Sequence, residues 1–283
     1  MGRLSSSILV NDNYYSFFTL YGPNYSVLQQ KLYIISKDGK IQKPIQVPAE
    51  ILKADWCKIQ NRHDSIIASL EESSIAFFLD QKTEQWIKIK SVDNLIYEDS
   101  IFYVTSTCSG EFGGTIFFKD KRDNNIYVAS SVCSVIVNKI KNAYYVTNYL
   151  PHLFGFSEVY VIDDPLKMQI IEEVIFNKRR ESISRQGTKN LFDSIEFEII
   201  SSFTTDDKLY HLYRSNDTIN IGKIKNKKIE KLYTLDTPDN VEYDQPMQNN
   251  GQLLRFYTDN EDLFGFIEIK QNQIYKHYIK RKK

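Results

Sequence analysis

FYVTSTCSGEFGGTIFF, residues 102–118, is written a second time in the same register forty-two residues further on, as YYVTNYLPHLFGFSEVY at 144–160. Tyr-Val-Thr begins at Tyr103 and at Tyr145, and Phe-Gly stands at Phe112 and at Phe154. A fainter third copy, LRFYTDNEDLFGFIEI, starts at Leu254 and repeats from Leu263 the Leu-Phe-Gly-Phe that begins at Leu153. In each copy two apolar, aromatic-rich runs flank a polar loop, which reads as a pair of antiparallel strands. Strand-borne self-similarity at a period of about 40–50 residues marks stacked β units, none of which can bury both faces alone.

Outward from these copies, the remaining strand signals group by fours. They fall at 8–10, 14–20, 31–35 and 41–47; at 56–59, 65–70, 75–79 and 85–89; and at 95–97, 101–107, 115–118 and 126–129. Three further groups cover 132–138, 144–149, 157–162 and 170–174; 196–203, 208–213, 219–224 and 229–235; and 241–243, 253–257, 264–269 and 273–279. Turn residues separate them, among them Asn11-Asp12-Asn13, Lys37 to Lys40, Lys121 to Asn125 and Asp163-Asp164-Pro165. The expected fold is all-β: a single β-propeller domain over 1–283 with about six four-stranded blades, the alternatives being five or seven blades or a β-sandwich. A polar, basic surface insert at 177–190 interrupts the pattern between the fourth and fifth groups. A basic tail, Lys280 to Lys283, follows the closing strand.

Composition narrows the function classes. Equal totals of 36 basic and 36 acidic residues give no field that would draw the chain onto nucleic acid or an anionic membrane. The longest apolar runs fall far short of a membrane span, and the start offers only Ile8 to Val10 where a signal peptide needs a longer apolar core. The expected place is the cytoplasm, or the periplasm or exterior if a leader has been removed. Three cysteines, Cys57, Cys108 and Cys133, show no CxxC spacing, so no disulfide framework or thiolate metal site is indicated, although one pair could bridge. Cys108 reads as a buried, inert thiol. No cofactor and no metal are expected, since His63, His211 and His277 are far apart and lack a ligand spacing.

Chemistry should gather where the second and third strands of the repeated units join. Those loops, with the basic insert expected on the same face, offer Glu111, Tyr149, His152, Phe156, Arg179, Arg180 and Arg185 as ligand- or partner-binding residues. The Phe-Gly pairs read as structural, with glycine at positive φ and Phe112, Phe154 and Phe264 filling gaps between blades. No nucleophile elbow accompanies Cys108 or Ser109, so catalytic residues remain unassigned. The expected function is a non-catalytic interaction module, monomeric, binding a protein or glycan partner. The alternative is a carbohydrate-active hydrolase with Asp12, Asp55, Glu98, Glu242 or Asp244 converging on a central channel.

Overall fold

The computed structural model describes residues 2–23, 26–54, 57–62, 65–70, 75–90, 95–150, 155–171, 183–236, 240–247, 251–258, 263–270 and 273–280. Among these, nearly everything is strand, and no helix is long and apolar enough to cross a membrane. Sheet one is a meander of β1 (Arg3–Val10), β2 (Asn13–Tyr21), β3 (Val27–Ser36) and β4 (Ile41–Ile45). Sheet two follows with β5 (Cys57–Arg62), β6 (Ser65–Leu70), β7 (Ile75–Asp80) and β8 (Gln85–Lys90). Sheet three holds β9 (Leu95–Glu98), β10 (Phe102–Cys108), β11 (Gly114–Asp120) and β12 (Ile126–Ser131).

In sheet four, β13 (Ser134–Ile140), β14 (Ala143–Leu150) and β15 (Phe156–Ile162) run in sequence. The chain then detours through β16 (Gln169–Ile171) before β17 (Lys189–Ser194) completes the sheet. Sheet five is β18 (Glu198–Thr205), β19 (Lys208–Ser215), β20 (Thr218–Lys225) and β21 (Lys228–Leu235). Sheet six is β22 (Asn240–Met247), β23 (Gly251–Tyr257), β24 (Leu263–Lys270) and β25 (Gln273–Lys280). Six successive four-stranded antiparallel meanders make this a six-bladed β-propeller fold. Tight hairpins carry it: Asn11-Asp12, Asp206-Asp207, Asn216-Asp217 and Asn226-Lys227 all have positive φ at both central positions, which matches the twist of the flanking strands.

The chain partitions into two compact units, Met1–Val92 with Pro238–Lys283, and Asp93–Thr237. In the first, the two ends of the chain share a core, where Leu4, Tyr14 and Phe18 of sheet one meet Leu253, Phe264 and Phe266 of sheet six. Tyr14 stacks on Phe266 at 4.0 Å and Phe18 meets Phe264 edge-on at 5.1 Å. Phe264 therefore does fill a gap between sheets. In the second unit, Phe102, Val104 and Phe118 of sheet three pack with Tyr144, Val146 and Tyr160 of sheet four. Each such side chain contributes about 1.5–3 kcal/mol on burial.

The forty-two-residue repeat is a repeat of pairing. Val104 lies opposite Phe118 and Val146 opposite Tyr160, and Phe102↔Asp120 becomes Tyr144↔Ile162. Both valines are fully buried. The third copy departs from this register. Its turn comes earlier in the copy, Tyr257 already faces Phe264, and Phe264-Gly265 lies inside β24 rather than at a loop. Gly265 has no positive φ; its job is to make room. An added Cβ would stand 1.8 Å from the His277 carbonyl oxygen and 2.5 Å from Cζ of Phe256, whose ring meets Tyr278 across the gap at 5.1 Å.

Sheet four departs from expectation as well. The strand expected at 170–174 is β16, and it pairs with β12 as a fifth strand of sheet three, while β17 closes sheet four. Asp163-Asp164-Pro165 is not a hairpin turn: Asp164 accepts from the Leu166 amide and caps a 3-10 turn, Pro165–Lys167, that leads out to β16. The 177–190 insert thus falls within sheet four, between its third and fourth strands, rather than between sheets four and five. A three-residue strand has no periodicity to announce it, and its pairing is decided by the apolar cluster of Phe117, Ile126 and Val128 that Ile171 and Ile183 cover.

Candidate functional site

The second unit presents one strand-end face built from the β10–β11 loop, the start of β15, and the connectors from β12 to β13 and from β17 to β18. On it, residues 109–113 make a tight reversal. Ser109 N donates to Gly113 O at 2.7 Å, Gly113 N donates to Gly110 O at 3.0 Å, and Gly110 and Gly113 both hold positive φ. Cys108 at the foot of this loop is disulfide-bonded to Cys133 in the β12–β13 connector, with Cα atoms 4.7 Å apart. Cys108 is therefore neither buried nor a free thiol, contrary to the sequence reading. The chain reversal at Ser131 brings Cys133 beside β10, and no sequence spacing encodes that. Cys57 is the buried thiol instead, its pKa pushed up to about 12 by burial.

The loop's apex is Phe112, 86 % exposed. It fills no gap between sheets, because the 3-10 turn Gly110–Phe112 points it outward while Gly113 carries the chain back into β11. The side chain of Glu111 lies outside the described residues, as do His152, Phe154, Arg179 and Arg180.

Tyr149 and Phe156, at facing ends of β14 and β15, are half-buried. The Tyr149 hydroxyl donates to Glu198 of sheet five at 3.0 Å, and Arg214 donates to the same carboxylate oxygen at 2.8 Å. Gly155, at φ +71°, turns over this group so closely that a Cβ would sit 3.3 Å from the Glu198 Cγ. Beside it the β17–β18 connector exposes Ile195.

Arg185 does reach functional-looking company, but as a neutraliser. Glu158, only 2 % exposed, takes both guanidinium nitrogens, Nη1 on Oε1 and Nη2 on Oε2 at 3.1 Å, while the Asn148 and Asn190 amides approach at 3.4 and 3.3 Å. Behind them, the Ser134 hydroxyl donates to Asn148 Oδ1 at 3.0 Å, and burial raises the pKa of Tyr160. Removing one partner of a buried pair is costly, although Arg185 is itself partly solvated. Arg185→Ala is expected to lower unfolding stability by about 2 kcal/mol, read by urea denaturation, with Glu158→Gln in the same background restoring part of it.

Sequence reasoning missed a second polar cluster. Ser202 Oγ lies 2.7 Å from His211 Nδ1 and 2.7 Å from Thr147 Oγ1, and Asn138 donates to the Ser202 carbonyl at 2.9 Å. Burial depresses the pKa of His211 from 6.5 to about 3. A serine hydroxyl against a neutral imidazole has the chemistry of an activated nucleophile. Here, however, Ser202 is 0 % and His211 1 % exposed, so no substrate reaches it. Its only trace in the sequence is polar residues at core-facing strand positions.

The acids proposed for a channel are engaged or outside the description. Asp12 sits in the β1–β2 turn and pairs with Lys37 at 2.6 Å, and Glu98 pairs with Lys121 at 2.6 Å. Glu242 holds Arg3 at 2.9 Å, Arg255, and the Tyr257 hydroxyl at 2.7 Å. Asp55 and the side chain of Asp244 lie outside the described residues. Among the described residues, no three His, Cys, Asp or Glu side chains are placed to hold a metal ion.

No family model matches the chain, and no curated protein matches it either. Solved structures do. The chain is similar to hydrazine synthase from Kuenenia stuttgartiensis at 11 % identity and TM-score 0.46, over 94 % of this chain and 76 % of that one. It is similar to the β-propeller domain of the trilobed protease from Pyrococcus furiosus at 12 % identity and TM-score 0.40, over 96 % of each chain. A structure from a study of two prolyl endopeptidases matches at 10 % identity and TM-score 0.49, over 99 % of this chain and 50 % of that one. Likeness at this level carries nothing about activity.

Proposed function

We propose that the chain is a non-catalytic binding module that docks a protein partner on the strand-end face of its second unit. The observation that carries this is Phe112, a solvated phenyl ring on a loop fixed at its base by Cys108–Cys133 and internally by two backbone hydrogen bonds. A large apolar side chain ordered in advance loses little entropy on docking, and such aromatic anchors dominate protein interfaces. Ile195, Tyr149 and Phe156 on the same face extend the apolar contact.

A glycan site would instead leave ring faces beside carboxylates free to hydrogen-bond sugar hydroxyls. Here Glu198 is already held by the Tyr149 hydroxyl and by Arg214. Hydrolysis would need a pair of available acids, and Glu158 and Glu242 are both held by arginine. The disulfide supports work in an oxidising compartment rather than the cytoplasm.

The test is cross-linking capture from the source organism with wild type and with Phe112→Ala. The variant removes an exposed ring and should keep the wild-type melting temperature. A partner retained by wild type and at least about tenfold depleted with Phe112→Ala supports the reading. Equal recovery removes Phe112 from it, and selective binding on a glycan array replaces it with the glycan reading.

A further inference from the structure

The hairpin of β20 and β21 carries a second surface, unconnected with the Phe112 loop. Between residues 223 and 231 the sequence reads KIKNKKIEK, five lysines against one glutamate, in a chain whose total charge is zero. Lys225, Lys227, Lys228 and Lys231 are exposed, and none of them takes part in the ion pairs found among the described residues. Lysines on other outer strands do: Lys43 of β4 pairs with Glu84, and Lys88 of β8 with Glu50 at 3.6 Å.

The turn itself adds to the charge. Asn11-Asp12, Asp206-Asp207 and Asn216-Asp217 all use Asp at the second positive-φ position, whereas Asn226 is followed by Lys227 at φ +60°. Lysine has no side-chain hydrogen bond to offer that conformation.

Among the described residues β21 is also the open edge of sheet five, with no strand paired beyond it. Residues 230–234 are all exposed, including Leu232 at 48 % and Tyr233 at 61 %. The same position in sheet three is filled. There β16 adds to β12 through Val128↔Gln169, Tyr127↔Ile170 and Ile126↔Ile171, so an outer strand of this protein already accepts an extra strand.

We infer that the β21 edge is a docking site for an extended, acidic segment of a partner protein, which adds as a fifth strand of sheet five. Main-chain hydrogen bonds supply the pairing, apolar side chains of the added strand lie against Leu232 or Tyr233, and its carboxylates face the lysines. The charge that repels a second copy of this edge admits an acidic strand.

The experiment uses the full chain and a fluorescein-labelled peptide that alternates glutamate with valine, against a control with lysine for glutamate. Fluorescence anisotropy is expected to show binding of the glutamate peptide only, slowed amide exchange across β21 on its addition, and affinity about tenfold or more weaker in Lys228→Glu/Lys231→Glu. Lys228→Gln/Lys231→Gln should fall between, and unchanged melting temperatures exclude misfolding as the cause. No binding at about 1 mM peptide, equal affinity for both peptides, or no loss on charge reversal would overturn the assignment. So would retention of the chain by phosphatidylserine vesicles without peptide-induced protection of β21, which would give the hairpin to lipid.

Discussion

Replacing Gly265 by alanine should unfold sheet six more than any other single-methyl addition in the described chain. Its Cβ would lie 1.8 Å from a carbonyl oxygen of β25 and 2.5 Å from the Phe256 ring, so a strand or a buried aromatic must move. Forced overpacking of this kind costs about 3 kcal/mol or more. Because sheet six shares its core with sheet one, the loss should appear as a lower midpoint for the whole first unit. Gly39→Ala is the control. Gly39 sits at φ +80° with its nearest neighbour, the Ile279 Cγ1, at 3.5 Å, so that variant meets only backbone strain of about 1 kcal/mol. Urea denaturation of both variants reads the difference; equal losses would show that the rings over Gly265 yield.

Acid should weaken the second unit well before carboxylates titrate. His211 is held neutral by burial, with a folded pKa of about 3 against 6.5 ordinarily. Between these values the unfolded chain binds a proton that the folded chain refuses. The contribution is therefore complete above pH 6.5 and lost as pH falls towards 3. From pH 7 to pH 4 the loss is about 3 kcal/mol.

Asp99 acts in a lower window. Burial alone would raise its pKa, but hydrogen bonds from Lys139, the Phe102 amide, Tyr144 and the Ile101 amide prevail and hold it at about 2. Its contribution is present above about pH 4 and lost below. His211→Gln, measured by urea midpoint at pH 7, 5.5 and 4, should flatten the upper window and leave the lower one. A wild-type slope in the variant would assign the effect elsewhere.

The identical tetrapeptide Leu-Phe-Gly-Phe shows how far the sequence could be read. At 153–156 its glycine turns at φ +71°; at 263–266 the same glycine lies extended under two rings. The position of the turn, not local composition, decides which, since the third hairpin reverses earlier in its copy and so takes Phe264 into β24. Alternating apolar residues and Asn-Asp turns made the strands and the repeat visible, because both act within a few residues. Arg185 could be singled out as a polar residue of consequence. That it answers the buried carboxylate of Glu158 depends on β16 leaving sheet four to pair with sheet three, a choice made by the Phe117–Ile126–Val128 cluster. Cys108–Cys133 was illegible for a similar reason, since it joins a strand end to the connector leading into the next sheet.

The binding surface stands or falls with that bond, because without it Phe112 rides an unpinned loop and has no fixed position to offer a partner. A non-reducing proteolytic peptide map of protein purified without reductant and alkylated under denaturing conditions tests it directly. The expected product is a Cys108–Cys133 cross-linked peptide with alkylation at Cys57 alone. Alkylation of all three cysteines would contradict the account.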